Sequence, residues 1–168
     1  MPSGGDRSIF AVAAILIVVL DAITKYIAEL RLGAGETIAV VGEWIRLHLV
    51  YNRGAAFGLH LGPYSRWIFL VIAVLAVVIL YRMSASSPPG DRFRQLALGL
   101  VAGGAVGNLI DRIRSEQGVV DFLDVGIGAL RWPTFNVADI GVSCGAIALA
   151  LSLWREDVRK PAADSAAG

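Results

Sequence analysis

The chain has 168 residues, of which 56% are hydrophobic and 17% charged, against roughly 45–50% and about 25% in an average globular chain. That composition excludes a disordered chain, which is polar and highly charged. The 15 Lys+Arg and 14 Asp+Glu leave a net charge of +1, without the basic surplus of a nucleic-acid binder, and the single cysteine, Cys144, excludes an internal disulfide and a multi-thiolate metal site.

A bilayer span takes about 20 mostly apolar residues, because a helix rises about 1.5 Å per residue across a core about 30 Å thick. The first such stretch covers about residues 8–28 and contains Asp21 and Lys25. Arg7 and the apolar run that follows also have the outline of a secretory signal peptide. No small-x-small cleavage site comes next, however, and the flank Asp21-Ala22-Ile23-Thr24-Lys25 does not suit one. The loop after it reads as a hairpin: residues 37–41, a Gly42-Glu43 turn, then residues 44–51. Ile45, Leu47, Leu49 and Tyr51 alternate with Trp44, Arg46, His48 and Val50, the period of a strand with one apolar face. His48 reads as a solvated strand residue, since no metal-type partner stands near it in the sequence.

A second span covers about residues 64–83, followed by the loop signal Ser84-Ala85-Ser86-Ser87-Pro88-Pro89-Gly90. The third covers about 93–110 and carries Gly99, Gly103 and Gly107, a ladder that lets helix backbones approach closely in lipid. The fourth covers about 137–154, with Asp139 near its start and Cys144 read as a packing residue. Residues 1–6 and 161–168 are small and polar and are expected to be disordered tails. The fold class is therefore an all-α membrane protein: one domain over 1–168, with four transmembrane helices and a small extracytoplasmic β-hairpin or sheet between helices 1 and 2.

Ionisable groups inside spans are costly and mark function. Odd spans end, and even spans begin, on the side away from the termini, so Asp21, Lys25, Asp111, Arg112, Asp121 and Asp139 all collect at one membrane face. Seven Lys/Arg flank each side, but the segments on the termini side are shorter. Their higher positive density places both termini in the cytoplasm. Asp21 and Lys25 stand i,i+4 and form either a structural ion pair or a chemical pair. Asn108 and Arg112 share a helix face, and Asp111 lies on another, free to pair with a loop backbone or an arginine. Asp121 and Asp139 each suit a helix cap or an arginine partner. Two carboxylates at one interface also suit shared-proton hydrolysis, one activating water and the other hydrogen-bonding a scissile carbonyl. The competing classes are a small proton- or ion-coupled transporter, which needs ionisable groups through the bilayer depth, and a non-enzymatic membrane subunit.

Five blocks then occur in order: Asp21-x-x-Thr24-Lys25; Asn52-Arg53-Gly54-Ala55-Ala56-Phe57-Gly58; the run from Gly103-Gly104 through Gly107-Asn108 to Asp111-Arg112; Val119-Val120-Asp121-Phe122; and Phe135-Asn136-Val137-Ala138-Asp139. Across about residues 9–154 the chain resembles the lipoprotein signal peptidase (signal peptidase II) family. The resemblance implies a bacterial inner-membrane aspartic endopeptidase that cuts diacylglyceryl-modified prolipoproteins just before the lipidated cysteine. It implies Asp121 and Asp139 as the catalytic dyad. Asn52, Gly54, Asn108, Arg112 and Asn136 match substrate-binding or site-lining positions, and Asp21, Lys25 and Asp111 match supporting ones. Gly58 stands where many members carry serine, and Arg53 where a small residue is common. In the family the hairpin region forms a cradle over the site, which lies near the outer membrane face. The expected partners are prolipoprotein substrates and membrane lipids, with no nucleic acid, no metal and no cofactor, and the chain is expected to act as a monomer.

Overall fold

A chain crossing hydrocarbon must satisfy its backbone N–H and C=O groups internally, so the long apolar runs become helices. The computed structural model describes residues 4–33, 35–54 and 61–166. It contains α1 (Gly4–Arg31), α2 (Ser65–Ser86), α3 (Arg92–Arg114) and α4 (Val137–Ala166). Segments 6–31, 62–86, 92–114 and 137–156 are long and apolar enough to cross a membrane.

α3 is the centre of the bundle. It packs against α1, α2 and α4, while α1 and α2 barely touch. Its glycines make this possible: a Cβ at Gly99 would lie 2.5 Å from the Phe10 carbonyl oxygen, and one at Gly103 would lie 2.6 Å from that of Ala14. A Cβ at Gly104 would run into the Ala138 carbonyl of α4. Large apolar side chains instead face outward, among them Ile15, Val19, Ile23, Val71, Leu75 and Ile147, as the bilayer requires. Cys144 is also exposed on α4, so the expected packing role is corrected: its thiol is turned away from the helix bundle.

The expected disordered tails are corrected in part. Residues 4–6 open α1, and the buried carboxylate of Asp6 accepts the Gly90 N–H at 2.8 Å, fastening α1 to the α2–α3 turn. Residues 161–166 continue α4, where Ala162 and Ala163 are strong helix formers. The rest of those tails, residues 1–3 and 167–168, lies outside the described residues, as do Ala55, Ala56, Phe57 and Gly58.

The expected hairpin is present as β1 (Thr37–Val41) and β2 (Ile45–Asn52). The sheet, however, is larger than a hairpin between the first two helices. Its order is β1-β2-β3-β4, with β3 (Val119–Ile127) and β4 (Leu130–Arg131) supplied by the segment between α3 and α4. All neighbouring strands are antiparallel. Leu47 and Leu49 of β2 pack with Ala28 and Leu32 from the end of α1 and with Phe122 of β3, seating the sheet on the bundle. At the far end, Asp124 accepts Arg46 Nη2 at 2.8 Å and Arg131 Nε at 2.8 Å, joining β2, β3 and β4. Burial pushes this carboxyl up, but the hydrogen bonds from Arg131 and Arg46 outweigh it and hold the group below its ordinary range. His48 is held within the sheet region, with Nδ1 3.2 Å from Thr37 Oγ1 and 3.2 Å from the Glu36 carbonyl oxygen.

Candidate active site

Asp121 lies on β3 rather than at a helix end. Leu47 stands opposite Leu123 and Val50 opposite Asp121, so two residues of β2 face one of β3. This bulge changes the phase of β2. In straight register Tyr51 would stand opposite Val119; with the extra residue, Asn52 does. The Asn52 side chain thereby shares a face with Asp121, and its Nδ2 donates to Asp121 Oδ2 at 3.1 Å. Asn52 Oδ1 accepts the Gly54 N–H at 2.9 Å, which fixes the direction of the amide.

Asp139 enters on α4. The strand bridge Leu123↔Phe135 draws the residues before α4 against β3, leaving Asn136 fully buried beside Asp121. Asn136 Oδ1 accepts the Asp139 N–H at 2.9 Å, and Asp139 Oδ2 accepts the Asn136 N–H at 3.2 Å. This is a reciprocal capping box with asparagine and aspartate in the usual serine and glutamate places. The capping expectation therefore holds for Asp139, whereas Asp121 caps nothing. With its oxygen committed to the cap, Asn136 turns its Nδ2 to Asp121 Oδ1 at 2.7 Å. One buried amide thus touches both aspartates.

Asn108 of α3 completes the surround. Its Nδ2 donates to Asp139 Oδ1 at 2.8 Å, and its Oδ1 accepts Lys25 Nζ at 3.1 Å. A lysine ammonium only donates, so it forces this amide orientation. Arg112, one turn on, donates to the Asn108 carbonyl at 3.0 Å and to the Gly54 carbonyl at 3.0 Å. Its guanidinium lies 5.9 Å from the centroid of the Phe69 ring.

Below the two aspartates, Lys25 Nζ lies 2.7 Å from Asp21 and 2.7 Å from Asp111. All three side chains are buried. The expected Asp21–Lys25 pair is therefore half of a triad. Asp111 does bond a backbone N–H, as one of the expected alternatives had it, but its closest charge is Lys25 rather than an arginine; Arg114 stands 3.7 Å away. The second bonds of the two carboxylates explain their placement. Asp21 accepts the N–H of Ala138 at 2.9 Å, and Asp111 accepts that of Val120 at 3.2 Å. Each therefore grips the residue just before Asp139 or Asp121. Gly107 leaves room for this, since a Cβ there would lie 2.6 Å from Asp21 Oδ2.

Asp121 is 2% exposed. Burial first, and the nearby Asp139 second, raise its carboxyl to about 7, against the opposing pull of the Asn52 and Asn136 hydrogen bonds. A site with one proton between two carboxylates can activate water at one and hydrogen-bond a carbonyl at the other. Every site residue expected from the sequence lies in this connected set. One further member was not foreseen: Arg66, in the first turn of α2, donates to the Arg112 carbonyl at 2.6 Å and the Ile113 carbonyl at 3.2 Å. It satisfies the open carbonyls at the end of α3, a pairing over 46 residues that no local pattern announces.

The model of the signal peptidase II family matches residues 13–155. The chain belongs to the signal peptidase II family. A lipoprotein signal peptidase of Hydrogenovibrio crunogenus is 42% identical over 141 residues, covering 83% of this chain and 81% of that one. One from Moorella thermoacetica is 38% identical over 144 residues, covering 86% and 91%. A solved bacterial membrane enzyme, obtained by the in meso method, superposes with a TM-score of 0.81 at 29% identity and 90% coverage of both chains. The protein is thus a member of a bacterial protease family with membrane-spanning helices.

Proposed function

We propose that this chain is an aspartic endopeptidase that removes the signal peptide from diacylglyceryl-modified prolipoproteins, cutting before the lipidated cysteine. The observation that carries this reading is that both carboxylates bond Asn136, Asp121 through the side-chain Nδ2 and Asp139 through the backbone N–H. Asp139 in its ionised form takes a proton from water, which attacks the scissile carbonyl carbon. Asp121, protonated below about pH 7, donates a hydrogen bond to the carbonyl oxygen as it gains negative charge. The tetrahedral oxyanion, held by the hydrogen bond from Asp121, then collapses and the C=O bond re-forms. The C–N bond breaks, the proton held by Asp139 passes to the leaving amine, and the signal peptide leaves as a carboxylic acid. Asn52, Asn108 and Asn136 hold the two carboxyl groups in place, and Arg112 anchors the backbone at Gly54 beside them. The charges gathered at one end of the bundle support a site at a membrane face; in the proposed reading that face is the outer one, with both termini cytoplasmic and a single chain as the working unit. There water and a lipid-anchored peptide meet.

The test is cleavage of a purified diacylglyceryl-modified prolipoprotein, alongside its unmodified form, by wild type, Asp121→Asn and Asp139→Asn. Both variants are expected to insert and fold but to lose at least a thousandfold in rate, and the unmodified substrate to remain uncut. Near-normal turnover by either folded variant would remove the dyad assignment.

A further inference from the structure

A polar pocket of ≈ 260 Å3 lies at the same end of the bundle, and neither Asp121 nor Asp139 lines it. Arg53, Ser65, Arg66, Trp67 and Glu116 are among its walls. Arg53 and Glu116 are exposed and pair with no other described residue. Arg66 is already oriented, because Nε and Nη2 bond the carbonyls of Arg112 and Ile113 and its guanidinium lies 5.0 Å from the Trp67 ring centroid. Its Nη1 remains for a ligand. Such a guanidinium gives up little freedom on binding.

The level of the pocket decides what it meets. Tyr64 and Trp67 beside it are 69% and 56% exposed, and amphipathic aromatics of this kind sit at the membrane–water interface. Directly along α2 follow the exposed apolar side chains Ile68, Val71, Ile72 and Leu75. A polar, arginine-lined pocket at headgroup depth therefore opens onto an apolar helix face running into the hydrocarbon. We propose that this pocket binds the phosphodiester of a membrane glycerophospholipid, with its acyl chains along the exposed face of α2. Two guanidinium groups and one carboxylate sum to a single positive charge, matching the single negative charge of a phosphodiester. Arg53 can offer the phosphate paired N–H donors, and Arg66 its remaining Nη1. Glu116 can accept a hydrogen bond from a headgroup hydroxyl or ammonium. Because Arg53 follows Asn52 directly, an occupied pocket also tethers the end of β2.

The test is native mass spectrometry of the full chain released from detergent micelles and titrated with phosphatidylglycerol, diacylglycerol or glycerol 3-phosphate. Wild type is expected to take up one phosphatidylglycerol saturably and to bind the other two at least tenfold more weakly. Arg53→Gln, an exposed change that spares the fold, is expected to weaken phosphatidylglycerol about tenfold, the scale of one charge-assisted contact. Arg66→Lys, which keeps the charge but loses the carbonyl bonds that orient it, is expected to weaken it as well. Equal binding by wild type and Arg53→Gln would overturn the proposal. Equal binding of diacylglycerol would show that the phosphate is not recognised, and equal binding of glycerol 3-phosphate would reassign the pocket to a soluble anion; either result overturns it.

Discussion

Replacing Lys25 with methionine keeps most of the side-chain volume and removes the charge. The ammonium is 2% exposed and sits 2.7 Å from both Asp21 and Asp111, which are themselves 2% and 4% exposed. The substitution leaves two carboxylates buried side by side, with only the half-exposed Arg114, 3.7 Å from Asp111, as a remaining countercharge. Breaking a buried ion pair by removing one partner costs about 3–5 kcal/mol, a large part of the roughly 5–15 kcal/mol that holds a typical domain together. Thermal unfolding in detergent, followed by tryptophan fluorescence, should show a large fall in Tm and a low yield of folded protein. The triple variant Lys25→Met, Asp21→Asn, Asp111→Asn removes all the charges and keeps amide oxygens for the Ala138 and Val120 N–H groups, so it should recover most of the lost stability. A Lys25→Met protein as stable as wild type would refute the reasoning. So would a stable, substrate-binding variant without turnover, which would instead give Lys25 a direct part in the chemistry.

With Asp121 raised to about 7, proteolysis is expected to decline as pH rises through that value, and an initial-rate profile from pH 5 to 9 checks this. The same shift makes stability greatest below the ordinary carboxyl range and lowers it as pH rises from about 4 to 7, so Asp121→Asn should flatten the pH dependence of Tm across that window. Gly107→Ala places a methyl 2.6 Å from Asp21 Oδ2 and should lower both Tm and activity; an unaffected variant would contradict the tight α1–α3 contact. Cys144 faces away from the bundle, so Cys144→Ser should retain activity within about twofold, and complete loss in a folded protein would overturn the aspartate mechanism.

The four spans could be read from the chain because a bilayer demands a long apolar run wherever a helix crosses it, and that demand is local. The β1–β2 hairpin was also visible, through alternation and the turn at Gly42. The segment 119–127 does not read as a strand from its sequence. Its residues are buried from Val119 to Phe122 without a break, so no alternation distinguishes it from a helix start. Span counting likewise brought the charged residues to one end of the bundle, but it could not pair those on different spans. That Lys25 serves Asp111 as well as Asp21 depends on the close packing of α1 on α3 at the glycine ladder.

The residue types and their order already singled out the candidate set: Asp121 and Asp139, three asparagines, Arg112 and Lys25, all within five blocks. What they did not contain was the bulge between Leu47 and Val50 that puts Asn52 in place of Tyr51 beside Asp121. Nor did they contain the grip of Asp21 and Asp111 on the N–H groups of Ala138 and Val120. Register and long-range hydrogen bonds follow from how separate segments pack, and a pairing across 117 residues leaves no trace in the pattern on either side of it.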